Sequence, residues 1–210
     1  MIEIRHRTSG EVIYQSDADC FIECRLDGAQ LPQADLAGLD LSGCDLRSAD
    51  LRGADLSGSQ LEHCNFHSAC LDGALLEDSE LTGADFTDAH LNHAVLRGGV
   101  LVNTLFRYSQ LREADFRNAD LTNSDISMAD LRKANFSHAN LTGADLRASD
   151  LSGADLTHAQ LTDANLENAK LICARMIHAK MDGAVGGKKG TDVRAKVAGK
   201  ATRPWWRFWN

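Results

Sequence analysis

Between residues 26 and 171 every fifth residue is Leu, Phe or Ile, without one slip of phase. Admitting Met extends the series from Phe21 to Met181 and gives 33 centres: 24 Leu, six Phe, Ile126, Met176 and Met181. The residue two before each centre is small, with 21 Ala, five Ser, three Cys and one Gly; only Asp19, Leu39 and Thr104 depart. The other three places of each unit are mostly polar. A period of five matches neither the 3.6 of a helix nor the 2.0 of a strand, so each unit is one short side and one corner of a coil. Repetition on this scale decides the fold class, which is expected to be all-β.

Like side chains stack when they lie one coil apart, so their spacing counts the units per coil. Cys24, Cys44 and Cys64 are separated by 20, as are Phe66, Phe86 and Phe106, and Phe116 and Phe136 repeat the interval. Four units per coil follow. The 33 units then make about eight coils and a rod of roughly 40 Å at strand spacing. Corners need positive φ, and the position two after the centre is Gly eleven times and Asn four times, which supplies that need. Pro32 is the one proline inside the coils, so almost no ladder donors are missing.

The flanks differ from the coils. Ile2-Glu-Ile4 and Val12-Ile13-Tyr14 are β-prone, with a turn signal at Thr8-Ser9-Gly10-Glu11 between them, so residues 1–18 are expected to form a hairpin that caps the first coil. The β-helix is expected over residues 19–184 and a flexible basic tail over 185–210. The opening residues lack the apolar core of a signal peptide, and no apolar run approaches spanning length, so a cytoplasmic location is expected.

Units such as Ala49-Asp-Leu-Arg-Gly, Ala54-Asp-Leu-Ser-Gly and Ala154-Asp-Leu-Thr-His resemble the A(D/N)LXX motif of the pentapeptide-repeat family, over about four fifths of the chain. The resemblance implies a right-handed quadrilateral parallel β-helix. In it the centre and the small residue two before it point inward and the other three face water. Some members of that family resemble duplex DNA in shape and charge and occupy the DNA site of type II topoisomerases.

Charge weighs that implication. The chain has net charge −8, but the first 184 residues hold 15 Lys/Arg and 29 Asp/Glu, net −14, and the last 26 hold seven Lys/Arg and one Asp. Fourteen acids stand immediately before a centre, where the family motif itself prefers Asp or Asn. Duplex DNA of this length carries about 23 charges at one per ~1.7 Å, so the rod imitates it in part. Lys170, Arg175 and Lys180 replace the acid in the last coils, and no inserted loop of the kind some topoisomerase-protecting members use interrupts the repeat. The leading expectation is a non-enzymatic scaffold acting in protein–protein interaction with an unidentified protein partner. The alternative is a DNA mimic that binds and modulates or protects a type II topoisomerase such as gyrase. An acidic rod is not expected to bind nucleic acid directly. No nucleophile-base-orienter set and no phosphate loop is present, so no catalysis and no cofactor are expected.

Four local features stand out. His138, His158 and His178 lie 20 apart and should form an outward column, a weak candidate for a divalent metal against the plainer reading of a variable exposed position. Leu75, Val95, Val100 and Leu105 take the outward place usually given to Asp or Asn, and Val102 and Tyr108 lie beside them. Scattered exposed apolar residues are ordinary, whereas a continuous belt would suit self-association as a homodimer or a partner groove. Cys24, Cys44 and Cys64 face inward in one column with parallel Cβ vectors, so reduced thiols are expected. Finally, all three tryptophans lie in the last six residues, where Arg203, Trp205, Trp206, Arg207, Phe208 and Trp209 form an anchor. Capping of the last coil, attachment to an anionic membrane surface and insertion into a protein partner are its three readings.

Overall fold

In the computed structural model, residues 2–16 and 20–186 are described. The repeat is an all-β solenoid in which each unit pairs with the unit one lap away. Every isolated bridge is parallel and joins residue i to residue i+20, from Arg25 with Asp45 to Gln160 with Lys180. Four five-residue units therefore fill a lap, as the Cys and Phe columns require. The four faces take their names from their centres: the first carries 21, 41 and so on to 181, the second begins at 26, the third at 31 and the fourth at 36.

One unit shows how the pentad satisfies its backbone. Leu101 N–H donates to the carbonyl of Asp120 at 2.7 Å and Asn103 N–H to that of Thr122 at 3.0 Å, both one lap ahead. Val100 N–H donates backward to Ser79 at 2.9 Å, and Thr104 N–H closes a turn onto Leu101 at 3.3 Å. That turn needs positive φ at its third residue. All 33 such positions take it: eleven Gly and 22 other residues, the latter with φ between 54 and 63°. Gly and Asn are thus preferred there but not required, because three lateral bonds per unit outweigh about 1 kcal/mol of left-handed strain.

The centres and the small residues fill the inside. Almost all are fully buried, and the phenylalanines stack one lap apart: Phe66 on Phe86 at 4.6 Å, Phe86 on Phe106 at 5.0 Å and Phe116 on Phe136 at 4.8 Å between ring centroids. Where the small residue is polar, its hydroxyl reaches a nearby centre carbonyl. Ser79 donates to Leu76 at 2.8 Å, Ser149 to Leu146 at 2.7 Å and Thr104 to Leu81 at 3.1 Å. The Cys column behaves likewise. The Cys44 thiol donates to the Phe21 carbonyl and that of Cys64 to the Leu41 carbonyl at 2.9 Å, and all six cysteines are free. Burial pushes the Cys64 thiol up to about 12 and raises Cys44 further, which suits an inert thiol.

At the start, β1 (Ile2–His6) and β2 (Val12–Ser16) form an antiparallel hairpin with an irregularity between Ile4 and Arg5. Its strands run two residues beyond the β-prone runs legible in the sequence. β1 then pairs with β3 (Ala34–Asp35) in the first lap, burying Ile4, while Arg7 donates from its backbone to Gln33 and from its guanidinium to Gly53. At the other end β4 (Asn165–Leu166) pairs in parallel with β5 (Val185–Gly186). Gly186 stands where the next centre would fall, with φ 90°, and a Cβ there would meet the Glu167 nitrogen at 2.2 Å. No centre side chain fits that backbone, so the repeat stops. No helix among the described residues is long and apolar enough to cross a membrane.

Candidate interaction faces

With the inside filled, chemistry is left to the outward places. The residue before each centre does two jobs. Its side-chain oxygen accepts from the backbone N–H two residues on, as in Asp120 to Thr122 at 3.0 Å, Asp150 to Ser152 at 3.1 Å and Asn165 to Glu167 at 3.0 Å. This Asx turn explains Asp and Asn at that place before any partner is invoked. The second job depends on the residue just after the centre. Where it is Arg, a bidentate pair forms within the unit: Arg52 holds Asp50 at 2.8 and 2.6 Å, and Arg132 holds Asp130 at 2.8 and 2.7 Å. Other guanidiniums reach one lap on, as Arg97 to Asp115 at 2.7 Å and Arg107 to Asp125 at 2.6 Å.

These pairs move titration. The hydrogen bond from Arg47 holds the Asp45 carboxyl below the usual carboxylate range, and Arg52 does the same for Asp50. Burial raises Asp115, but hydrogen bonds from Arg117 and Arg97 outweigh it and the net direction is down. Burial likewise raises Asp125, and hydrogen bonds from Ser127 and Arg107 bring it down.

The apolar belt spans three faces. Leu75 and Val95 are bridge partners on the fourth face, half-buried. Val100 and Val102 lie half-buried on the first, between Glu80 and Asp120 and between Thr82 and Thr122. Leu105 and Tyr108 are exposed on the second, at 38% and 55%. The structure adds Met128, 53% exposed and one lap from Tyr108 in the same corner column. Its spacing of 20 from Tyr108 was the signal that could have found it. Ile172 and Ile177, each just after a centre in the last lap, are exposed as well.

The histidine column exists as a stack. The rings of His138 and His158 lie 4.8 Å apart and those of His158 and His178 4.9 Å, tilted by 14° and 23°. Near-parallel rings hold equivalent nitrogens about as far apart as their centroids, whereas two nitrogens at ~2.1 Å from one zinc ion lie within ~4.2 Å of each other. No group of three or more His, Cys, Asp or Glu among the described residues is disposed to hold a metal. All three histidines occupy positive-φ corners, as do His63 and His93, and His is one of the side chains that tolerate that conformation best. The tail anchor, Arg203 to Trp209, lies outside the described residues.

Three comparisons with known proteins bear on these faces. The sequence profile described as pentapeptide repeats matches in eight copies, over residues 20–58, 59–98, 100–137, 109–147, 129–167 and 149–185. No curated protein matches. Among solved structures, HetL, a pentapeptide repeat protein involved in heterocyst differentiation regulation from the cyanobacterium Nostoc sp. strain PCC 7120, is 31% identical over 78% of this chain and 85% of its own, with a TM-score of 0.42. Rfr23 from the cyanobacterium Cyanothece 51142 is 31% identical over 44% of this chain and 64% of its own, with a TM-score of 0.44. QnrB1, a plasmid-mediated fluoroquinolone resistance protein, is 20% identical over 77% and 88% of the two chains, with a TM-score of 0.44. The outward Asx turns, the buried centres and the 20-residue lap are thus those of the pentapeptide-repeat family, to which this chain belongs.

Proposed function

We propose that the chain is a non-enzymatic scaffold that works through its outer faces in protein–protein interaction, wound as a right-handed coil of about eight laps. The right hand is the one a twisted parallel strand favours for its crossover. The observation that carries the functional reading is the division of labour in each unit. Inward places are occupied by packed side chains, and outward places present a ruled surface of carboxylates, guanidiniums, hydroxyls and one apolar belt. Such a surface recognises a partner by charge pattern and shape. The partner class is a protein, and a cytoplasmic setting suits the free cysteines.

Imitation of DNA toward a type II topoisomerase is the second reading, favoured by first-face carboxylates that no cation among the described residues neutralises. Against it, Asp45, Asp50, Asp115, Asp125, Asp130 and Asp145 are tied to arginine, which removes much of the negative field a mimic needs. A gyrase supercoiling assay separates the two. Inhibition or drug protection by the purified protein, abolished by Asp120→Lys with Glu80→Lys, would replace the scaffold reading with the mimic. No effect at micromolar protein leaves the scaffold reading standing. The scaffold reading itself is tested by affinity capture with the wild type and with these two substitutions. Loss of a specific protein from the variant supports it, and identical captured sets from both overturn a role for this face.

A further inference from the structure

The third face is neutral, with five carboxylates and five cations between centres 31 and 171, whereas the first 184 residues together are net −14. The acid excess therefore lies elsewhere on the rod, and a second copy of this chain meets no net repulsion on this side. The leading corner of the same face carries Tyr108 and Met128, one lap apart. Among the described residues these are the two most exposed large apolar side chains between the first and last laps.

A two-fold axis lying in the face along the strand direction turns a second rod antiparallel to the first and lays each column upon its own copy. Placed between the laps of centres 111 and 131, it sets Tyr108 on Met128 of the second copy and Met128 on its Tyr108, a thioether–aromatic contact made twice. The middle column runs Cys70, His90, Gln110, Asp130, Asp150 and Lys170. There Gln110 meets Asp130 of the second copy, His90 meets Asp150 and Cys70 meets Lys170. At the trailing corner Glu113 meets Lys133, the side chain that already holds it within one copy at 2.9 Å. One like pair remains, Arg112 with Arg132, and each arrives bonded to an Asp130 carboxylate, at 2.7 and 2.8 Å. No acid meets an acid. Moving the axis half a lap, onto centre 111 or centre 131, would set Glu113 on Glu113 or Asp130 on Asp130, so the charges choose the register.

We propose that two copies of the chain pair through their third faces in this antiparallel register. The overlap runs from centre 71 to centre 171, six laps or about 29 Å, and is about 17 Å wide, so each copy covers about 500 Å². The total of about 1,000 Å² sits at the lower limit for a specific contact and gives a reversible dimer in the micromolar range. The first faces lie on the far sides of the two rods, so the dimer presents two of them, pointing opposite ways, and can hold two partners at once. That consequence rests on the scaffold reading, whereas pairing itself needs no partner and is measured without one.

Light scattering of the full chain should show its mass doubling from low to high micromolar concentration. Tyr108→Asp with Met128→Asp should keep the single-copy mass throughout with melting unchanged, because Asp accepts the positive φ of both corners. His90→Asp places an acid on Asp150 of the second copy, three laps away within its own, and should raise Kd about tenfold. Cross-linking fixes the direction. With Lys170→Cys, and the exposed Cys20 and Cys173 changed to Ser, a short bismaleimide should join two chains through positions 70 and 170, which lie five laps, about 24 Å, apart within one copy. Adding Cys70→Ser should abolish that product. A dimer cross-linked through Cys70 alone would set the rods parallel and overturn the arrangement. A single-copy mass at every concentration would overturn the pairing, and so would doubling that survives Tyr108→Asp with Met128→Asp.

Discussion

The first and third faces are opposite sides of one rod, built from the same pentad, yet they differ in charge. The first holds six carboxylates and one cation from centre 41 to centre 181; the third, from 31 to 171, holds five carboxylates and five cations and is neutral. The difference is made mostly at one place, just after the centre. On the third face it is Arg at 52, 112 and 132, which grips the Asp of its own unit or its neighbour. On the first it is Thr at 82, 122, 142 and 162. The Thr122 hydroxyl and the Asn140 amide both donate to Asp120, so its hydrogen-bonding is met without its charge being cancelled. Folding needs only the Asx turn, which both faces make. The residue two further on is therefore free to set how much field each face presents.

The largest test asks whether the two faces share one inside. Leu101→Ala beneath the first and Leu111→Ala beneath the third should each cost about 2–5 kcal/mol in urea unfolding, since both are fully buried centres. A difference between them larger than about 1 kcal/mol would show that the faces diverge below the surface as well, undoing the comparison. The next test exchanges their outward chemistry. Thr122→Arg with Thr142→Arg should make the first face resemble the third, pairing Asp120, and should weaken capture of a cationic partner by about tenfold at low salt, with the loss vanishing near 1 M NaCl.

Acid should separate the faces more gently. A carboxylate whose folded pKa is depressed binds its proton first in the unfolded chain, so its contribution is complete above the ordinary range, near 3.9, and is lost as pH falls through the folded value. Asp50 is of this kind, so Asp50→Asn should make the acid limb of a stability–pH curve shallower below about pH 4. The smallest effect lies at the corners, which belong to neither face. Ala148, at φ 57°, should gain up to about 1 kcal/mol on replacement by Gly, and Gly58→Ala, at φ 65° in open space, should lose a similar amount. A lower melting temperature for Ala148→Gly and a higher one for Gly58→Ala would mean that chain entropy, not left-handed strain, rules the corner.

Much of this architecture is legible because a pentad states its inside directly. The centres, the small residues and the lap of twenty follow from Leu, Ala and the Phe66–Phe86–Phe106 column alone. The role of the outward Asp is not legible, since an acid on a surface looks like solubility until its oxygen is seen accepting from the backbone two residues on. Corners at Tyr108, Met128 and Ala148 were hidden for a related reason: composition reports what a position prefers, whereas the lateral bonds decide what it must adopt. The division of charge among faces escaped because partners such as Arg97 and Asp115 are 18 apart in sequence and adjacent in space. Only the fold's own period sorts them.

That period has a genetic consequence. Because residue i sits against residue i+20, a position's face is fixed by its number modulo twenty. Duplicating a single pentad would lengthen the rod yet rotate everything downstream by a quarter turn, sending the acid column of the first face into line with the second. Only insertions or deletions of whole twenties leave all four columns continuous. Gene length in such a chain can thus drift in steps of five codons without harming the core, while the ruled surface is inherited intact only in steps of twenty.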